Sequence, residues 1–186
     1  MAEDKMKTKD KLKLGFDPVK LARESLRNSL SGDEISIEKP EDLELRAGCF
    51  VSLKTKAGNS LRGCIGTIEP TREDIYEEII CNAYNAAFCD PRFPELKEEE
   101  LNNIIISVDI MMPAEIVDGM EELDHEKFGV ILERGNKRGL LLPDLEGVDT
   151  VKDQISIAAR KAGISYNKIF ADGTNIYRFE VIRYKE

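Results

Sequence analysis

Arg62 and Cys64 stand two positions apart in the run Leu61-Arg62-Gly63-Cys64-Ile65-Gly66-Thr67, with a glycine on either side of the Cys64-Ile65 pair. A cysteine is nucleophilic as its thiolate, and a neighbouring cation favours that form. Arg62 supplies a cation, and its planar fork of donors also matches a carboxylate or phosphate. Gly63 and Gly66 lack a Cβ, which permits positive φ or the close approach of another group. Backbone N–H groups near the two glycines would then face developing negative charge in a thiolate reaction. The same residues have a plainer reading. A free cysteine packs readily in an apolar strand, and Gly-x-x-Gly is a common spacing.

A second constellation follows at Asp90-Pro91-Arg92-Phe93-Pro94. Two prolines stiffen this loop, so Asp90, Arg92 and Phe93 are held at fixed angles, as a binding site requires. The rival reading is a local Asp90–Arg92 ion pair that merely pins the loop. Leu142-Pro143-Asp144 reads as punctuation at a strand end, and Met111-Met112 as core. The acidic group Glu95, Glu98, Glu99 and Glu100, interrupted by Lys97 and Leu101, reads as a solvated turn rather than as metal ligands.

The four cysteines (Cys49, Cys64, Cys81, Cys89) form no C-x-x-C pair, and His125 is the one histidine. No zinc site follows from that set, and the thiols are expected to be reduced. His125 lies in the polar stretch Glu121–Lys127 and reads as a solvated residue, so a Cys64 nucleophile would lack a histidine base. No metal and no cofactor is expected.

The 186 residues suit one domain or two small ones, with 41% apolar residues for a core and 34% charged residues for an ionic surface. The net charge is −9, and the first thirteen residues carry +2 of it, leaving an acidic body of −11. Such a body repels phosphate backbones, which argues against nucleic acid as a partner. No apolar run approaches the ~20 residues of a membrane span, and the N-terminus lacks the apolar core of a signal peptide. A cytoplasmic location is the expectation, with residues 1–16 a disordered basic tail.

The remaining elements follow from caps and periodicity. Asp17-Pro18 opens a helix with Leu21, Ala22, Leu26 and Leu30 as its stripe, and Gly32 closes it. Cys49–Thr55 and Ser60–Ile68 read as a hairpin across Lys56-Ala57-Gly58-Asn59. Thr71 and Asp74 resemble a capping box that starts a helix over Arg72–Cys89, with Ile75, Ile79, Ala83, Ala86 and Ala87 inward. Ile104–Met112 reads as a long strand, and Phe128–Glu133 with Lys137–Leu142 as a second hairpin. Thr150 and Asp153 start a helix with Ile155, Ala158, Ala159 and Ala162 inward, stopped by Gly163. Tyr177, Phe179 and Val181 alternate as one half-buried terminal strand. Hairpins without regular βα alternation predict an α+β fold with a mostly antiparallel sheet flanked by helices.

Three segments in this order, LRGCIGT, DPRFPEL (Asp90–Leu96) and GLLLPDLEGVD (Gly139–Asp149), resemble the AMMECR domain family over roughly Pro18 to Tyr184. Bacterial and archaeal members are labelled protein A of the AmmeMemoRadiSam system. The resemblance implies an AMMECR-type domain over 17–186, built as two closely packed subdomains, the smaller lobe beside the main sheet and a cleft at LRGCIGT. It implies that the Asp90–Phe93 loop faces Cys64, so that Arg62 and Arg92 jointly hold an anion. It also implies a Memo-type protein and a radical SAM enzyme as partners. Two function classes follow: a small-molecule or anion site centred on Cys64 and Arg62, with Gly63, Gly66, Asp90, Arg92 and Phe93 binding, or a non-catalytic adaptor in which Cys64 is structural.

Overall fold

The structure is a computed structural model and describes residues 12–170 and 173–186. The chain divides into two compact units: residues up to Met111 together with Ile182–Glu186, and Met112–Val181. Both carry a four-stranded sheet with helical cover, as the hairpin pattern predicts.

In the first unit, α1 (Pro18–Ser31) starts on Asp17, whose side chain accepts the N–H groups of Val19 and Lys20, and ends on Gly32 at φ 76°. The strands β1 (Cys49–Thr55), β2 (Leu61–Gly66) and β3 (Ile104–Met111) join β8 (Val181–Lys185) in the order β2-β1-β3-β8. The hairpin is antiparallel, with Ser52 opposite Cys64, and β1 pairs antiparallel with β3, with Val51 opposite Val108. Its turn places Gly58 and Asn59 in the left-handed region, where a tight reversal needs residues of that kind.

Strand alternation separates two faces. Cys49, Val51 and Leu53 point with Ile106, Val108 and Ile110 into a core closed by Leu21 and Leu26 of α1 and by Ile75, Ile79 and Ala83 of α2 (Ile75–Phe88). Each Val, Leu or Ile among them, withdrawn from water, stabilises the fold by about 1.5–3 kcal/mol before entropy is counted. The opposite face carries Phe50, Ser52, Cys64, Ser107 and Asp109.

Three boundaries differ from the sequence expectation. α2 is capped by Asp74, which accepts Glu77 N–H, and not by Thr71, whose groups bond to Glu78 instead. The tail proposed for residues 1–16 is too long: Leu14 is buried, and Leu12 and Phe16 pack on the core, Phe16 edge-on to Tyr76 at 5.4 Å. Residues 1–11 lie outside the described residues. The terminal strand is two strands in different sheets, β7 (Asn175–Phe179) and β8, and Ile176, Phe179 and Ile182 are the buried positions. Moving from one sheet to the next resets the alternation at Glu180, which a single period-2 pattern does not accommodate.

In the second unit, β4 (Glu115–Val117), β5 (Gly129–Arg134), β6 (Lys137–Leu141) and β7 form a sheet ordered β4-β7-β5-β6. Helix α3 (Val151–Ala162) has the expected Thr150 cap and Gly163 stop, and it buries Ile155, Ala158 and Ala159 among Val130, Leu132 and Ile176. His125 sits in a turn, and its carbonyl accepts the Asp144 N–H at 2.9 Å. No described helix is long and apolar enough to cross a membrane.

Candidate functional site

β2 is an edge strand, and the segment Asp90–Glu100 runs along its outer side. Opposed residues in an antiparallel pair alternate between bonded and non-bonded positions, so Cys64 turns its N–H and C=O away from β1. Both groups are met by side chains. The Asp90 carboxylate accepts the Cys64 N–H at 2.9 Å, and Arg92 Nη2 donates to the Cys64 carbonyl at 3.2 Å. Arg92 grips Asp90 with Nε at 2.9 Å and Nη2 at 2.6 Å. The pair thus replaces a missing neighbour strand at one residue of the edge.

Those hydrogen bonds from Arg92 are the main reason the Asp90 carboxyl lies well below the usual carboxylate range, against the opposing effect of burial. The Asp90 side chain is 2% exposed, whereas that of Arg92 is 55% exposed. Arg92 Nη1 makes no hydrogen bond among the described residues, and the guanidinium lies 5.4 Å from the Phe93 ring centroid. Cys64, Asp90, Arg92 and Phe93 are therefore brought together.

Arg62 has a different role from the one its sequence position suggested. The ladder slips between Leu53 and Lys54, so Arg62 has no residue opposite it. Such a bulge redirects its side chain. Arg62 is buried, and its guanidinium bonds to Glu100 at 2.8 and 2.9 Å, to Pro94 O at 2.9 Å and to Glu95 O at 3.2 Å. Its donors hold the loop, which leaves the fork closed to a shared anion with Arg92. The acidic run also differs from a plain solvated turn, because Glu100 is drawn to Arg62 and its carboxyl is lowered chiefly by that bond. The spacing of Glu98, Glu99 and Glu100 on a 3₁₀ turn was the available signal, since only one of three can face back toward the strand.

Gly63 and Gly66 act by close approach and not by positive φ. A Cβ at Gly63 would overlap the Ala86 carbonyl of α2, and one at Gly66 would overlap the Phe50 ring. The Cys64 N–H is engaged by Asp90 and is not offered to a ligand. Thr67 closes the motif by donating to Glu78 at 2.7 Å. Glu78 is fully buried and also accepts Thr71 N–H at 2.7 Å, Arg72 N–H at 2.8 Å and Thr71 Oγ1 at 3.0 Å. Burial would raise its pKa, but these bonds outweigh it and the carboxyl is lowered.

Two further thiol environments bear on reactivity. Arg72 Nη2 lies 3.0 Å from Cys81 Sγ, which is the cation–thiol contact that spacing had suggested for Arg62 and Cys64. Cys49 is buried, and desolvation pushes its thiol up to about 12. A shallow depression of about 540 Å³, lined by Arg46, Thr71, Arg72, Glu73 and Glu77, does not include Cys64. Among the described residues no group of three or more His, Cys, Asp or Glu is placed to hold a metal ion.

An α+β protein of two sheet units, with a loop clamped on a cysteine-bearing edge strand, is the class that this fold and site define. The chain belongs to the AMMECR1 family, whose model matches residues 19–184. It is 52% identical over 147 residues to a Thermotoga maritima protein, covering 78% of this chain and 82% of that one. It is 48% identical over 176 residues to the Clostridium acetobutylicum protein CA_C1420, covering 91% of this chain but 36% of that longer protein. The crystal structure of the uncharacterized protein PH0010 from Pyrococcus horikoshii matches with a TM-score of 0.81 at 31% identity, covering 91% of this chain and 89% of that chain.

Proposed function

We propose that this protein binds a small anionic molecule at the Cys64 edge of its first sheet, with the thiol facing the ligand and Arg92 supplying the charge. The observation that carries this reading is the state of Arg92. It is fixed by Asp90 and by the Cys64 carbonyl, yet it is exposed and keeps Nη1 uncommitted among the described residues. A guanidinium held rigid by its own carboxylate loses little freedom on binding a second anion. Phe93 adds an apolar wall beside it. Cys64 would act as nucleophile or redox centre, without a histidine base. Gly63, Gly66 and Arg62 shape the strand and the loop.

The protein works in the cytoplasm beside a Memo-type protein and a radical SAM enzyme. Support for a partner comes from the Clostridium relative, in which the matching region is joined to a further stretch of chain. The adaptor reading, with Cys64 structural, draws on one observation: the Cys64 backbone groups are already paired within the unit.

Thermal shift with inorganic phosphate and small carboxylates tests the binding reading. A ligand at a hundredfold excess over its Kd stabilises by about 2.7 kcal/mol. Arg92→Met should abolish the rise in Tm, and Arg62→Met should lower the ligand-free Tm while keeping the rise. No rise with any anion, or a rise untouched by Arg92→Met, contradicts it.

A further inference from the structure

We infer that Ser52 is a positioning residue for the Cys64 thiol, setting both its rotamer and its readiness to ionise. This rests on the reading that Cys64 is the reacting group. Ser52 lies directly opposite Cys64 in the β1–β2 ladder, and its Oγ is 3.2 Å from Cys64 Sγ. β1 is an inner strand, bonded on both sides and buried at Cys49, Val51 and Leu53, so the hydroxyl is carried on a rigid element. A hydroxyl that donates to sulfur stabilises the thiolate over the thiol, because a hydrogen bond to the charged form favours that form. Among the described residues, Asp90 and Arg92 on the loop, paired with each other, meet the Cys64 backbone, and Arg62 on the same strand is paired with Glu100. The Ser52 hydroxyl adds a neutral donor that acts on the sulfur directly.

The test is the pH profile of iodoacetamide alkylation at each cysteine of the full chain, read by mass spectrometry, in wild type, Ser52→Ala and Ser52→Thr. Ser52→Ala should move the Cys64 midpoint upward and slow alkylation at pH 7 by about threefold or more. Ser52→Thr keeps the hydroxyl in a β-branched residue suited to a strand and should restore the profile. Cys81 and Cys89 serve as internal controls whose rates stay constant if the fold is intact. A Cys64 midpoint below that of exposed Cys89 but unmoved by Ser52→Ala overturns the role of Ser52 and leaves the Cys64 reading standing. Cys64 alkylating no faster than buried Cys49 in wild type overturns both.

Discussion

Arg62 and Glu100 meet through two parallel hydrogen bonds of 2.8 and 2.9 Å, joining the bulge of β2 to the 3₁₀ turn that follows the proline loop. The Arg62 side chain is 10% exposed and that of Glu100 is 34% exposed, so the pair is half shielded from water. Removing the arginine also strands the carbonyls of Pro94 and Glu95. Arg62→Met should therefore destabilise the protein by about 2–3 kcal/mol, less than a fully buried pair would lose. Arg62→Lys should recover little, since an ammonium does not span the four acceptors. Urea unfolding of both variants checks this, and an unchanged midpoint for Arg62→Met would remove Arg62 from the architecture.

Asp90 gives the same edge a dependence on pH. Its folded pKa is lowered chiefly by Arg92, while an unfolded aspartate titrates near ~3.9. A depressed carboxylate stabilises the fold fully above the unfolded value, and that contribution is lost as pH falls through the folded one. Glu78, Glu100 and Glu186 are lowered as well, so wild type and variant both weaken in acid. The difference between wild type and Asp90→Asn isolates this residue. It should be about 2 kcal/mol at pH 7 and shrink steadily below about pH 4. A difference constant from pH 7 to pH 3 would show that Asp90 contributes through shape and not charge.

Gly63 marks where α2 lies hardest against the sheet. Its missing Cβ makes room for the Ala86 carbonyl, a backbone atom that no rotamer change moves aside. Gly63→Ala should cost about 1–3 kcal/mol by overpacking, even though alanine is a better strand residue than glycine. Thermal unfolding at neutral pH is the check, and an unchanged or raised Tm would contradict the close approach.

The helices and hairpins were legible because their signals are local. Asp17-Pro18 with Gly32, and Thr150 with Gly163, delimit helices by side-chain caps that sequence displays directly. The Asp90–Phe93 loop was legible for a related reason, since prolines force the exit from α2. Arg62 was misjudged because its partner lies 38 positions away and a one-residue bulge redirects it. Ser52 went unseen for the same cause: which residue opposes Cys64 depends on the bulge, and a shift of one position would turn the other face of β1 toward it. Glu78 was hidden because a carboxylate facing α2's buried side contradicts the apolar pattern until the donors at Thr67, Thr71 and Arg72 are seen.

The binding of an anion beside Cys64 is tested most directly by comparing a charged with a neutral electrophile at that thiol. Iodoacetate carries a carboxylate for Arg92 to hold, whereas iodoacetamide offers none. The ratio of their rates at Cys64 should exceed the ratio at exposed Cys89 by about two- to fivefold, the range of a solvent-facing ion pair. Arg92→Lys should retain part of that preference, and Arg92→Met should abolish it. Equal ratios at Cys64 and Cys89 in wild type, or a preference that survives Arg92→Met, would contradict an anion site at this edge.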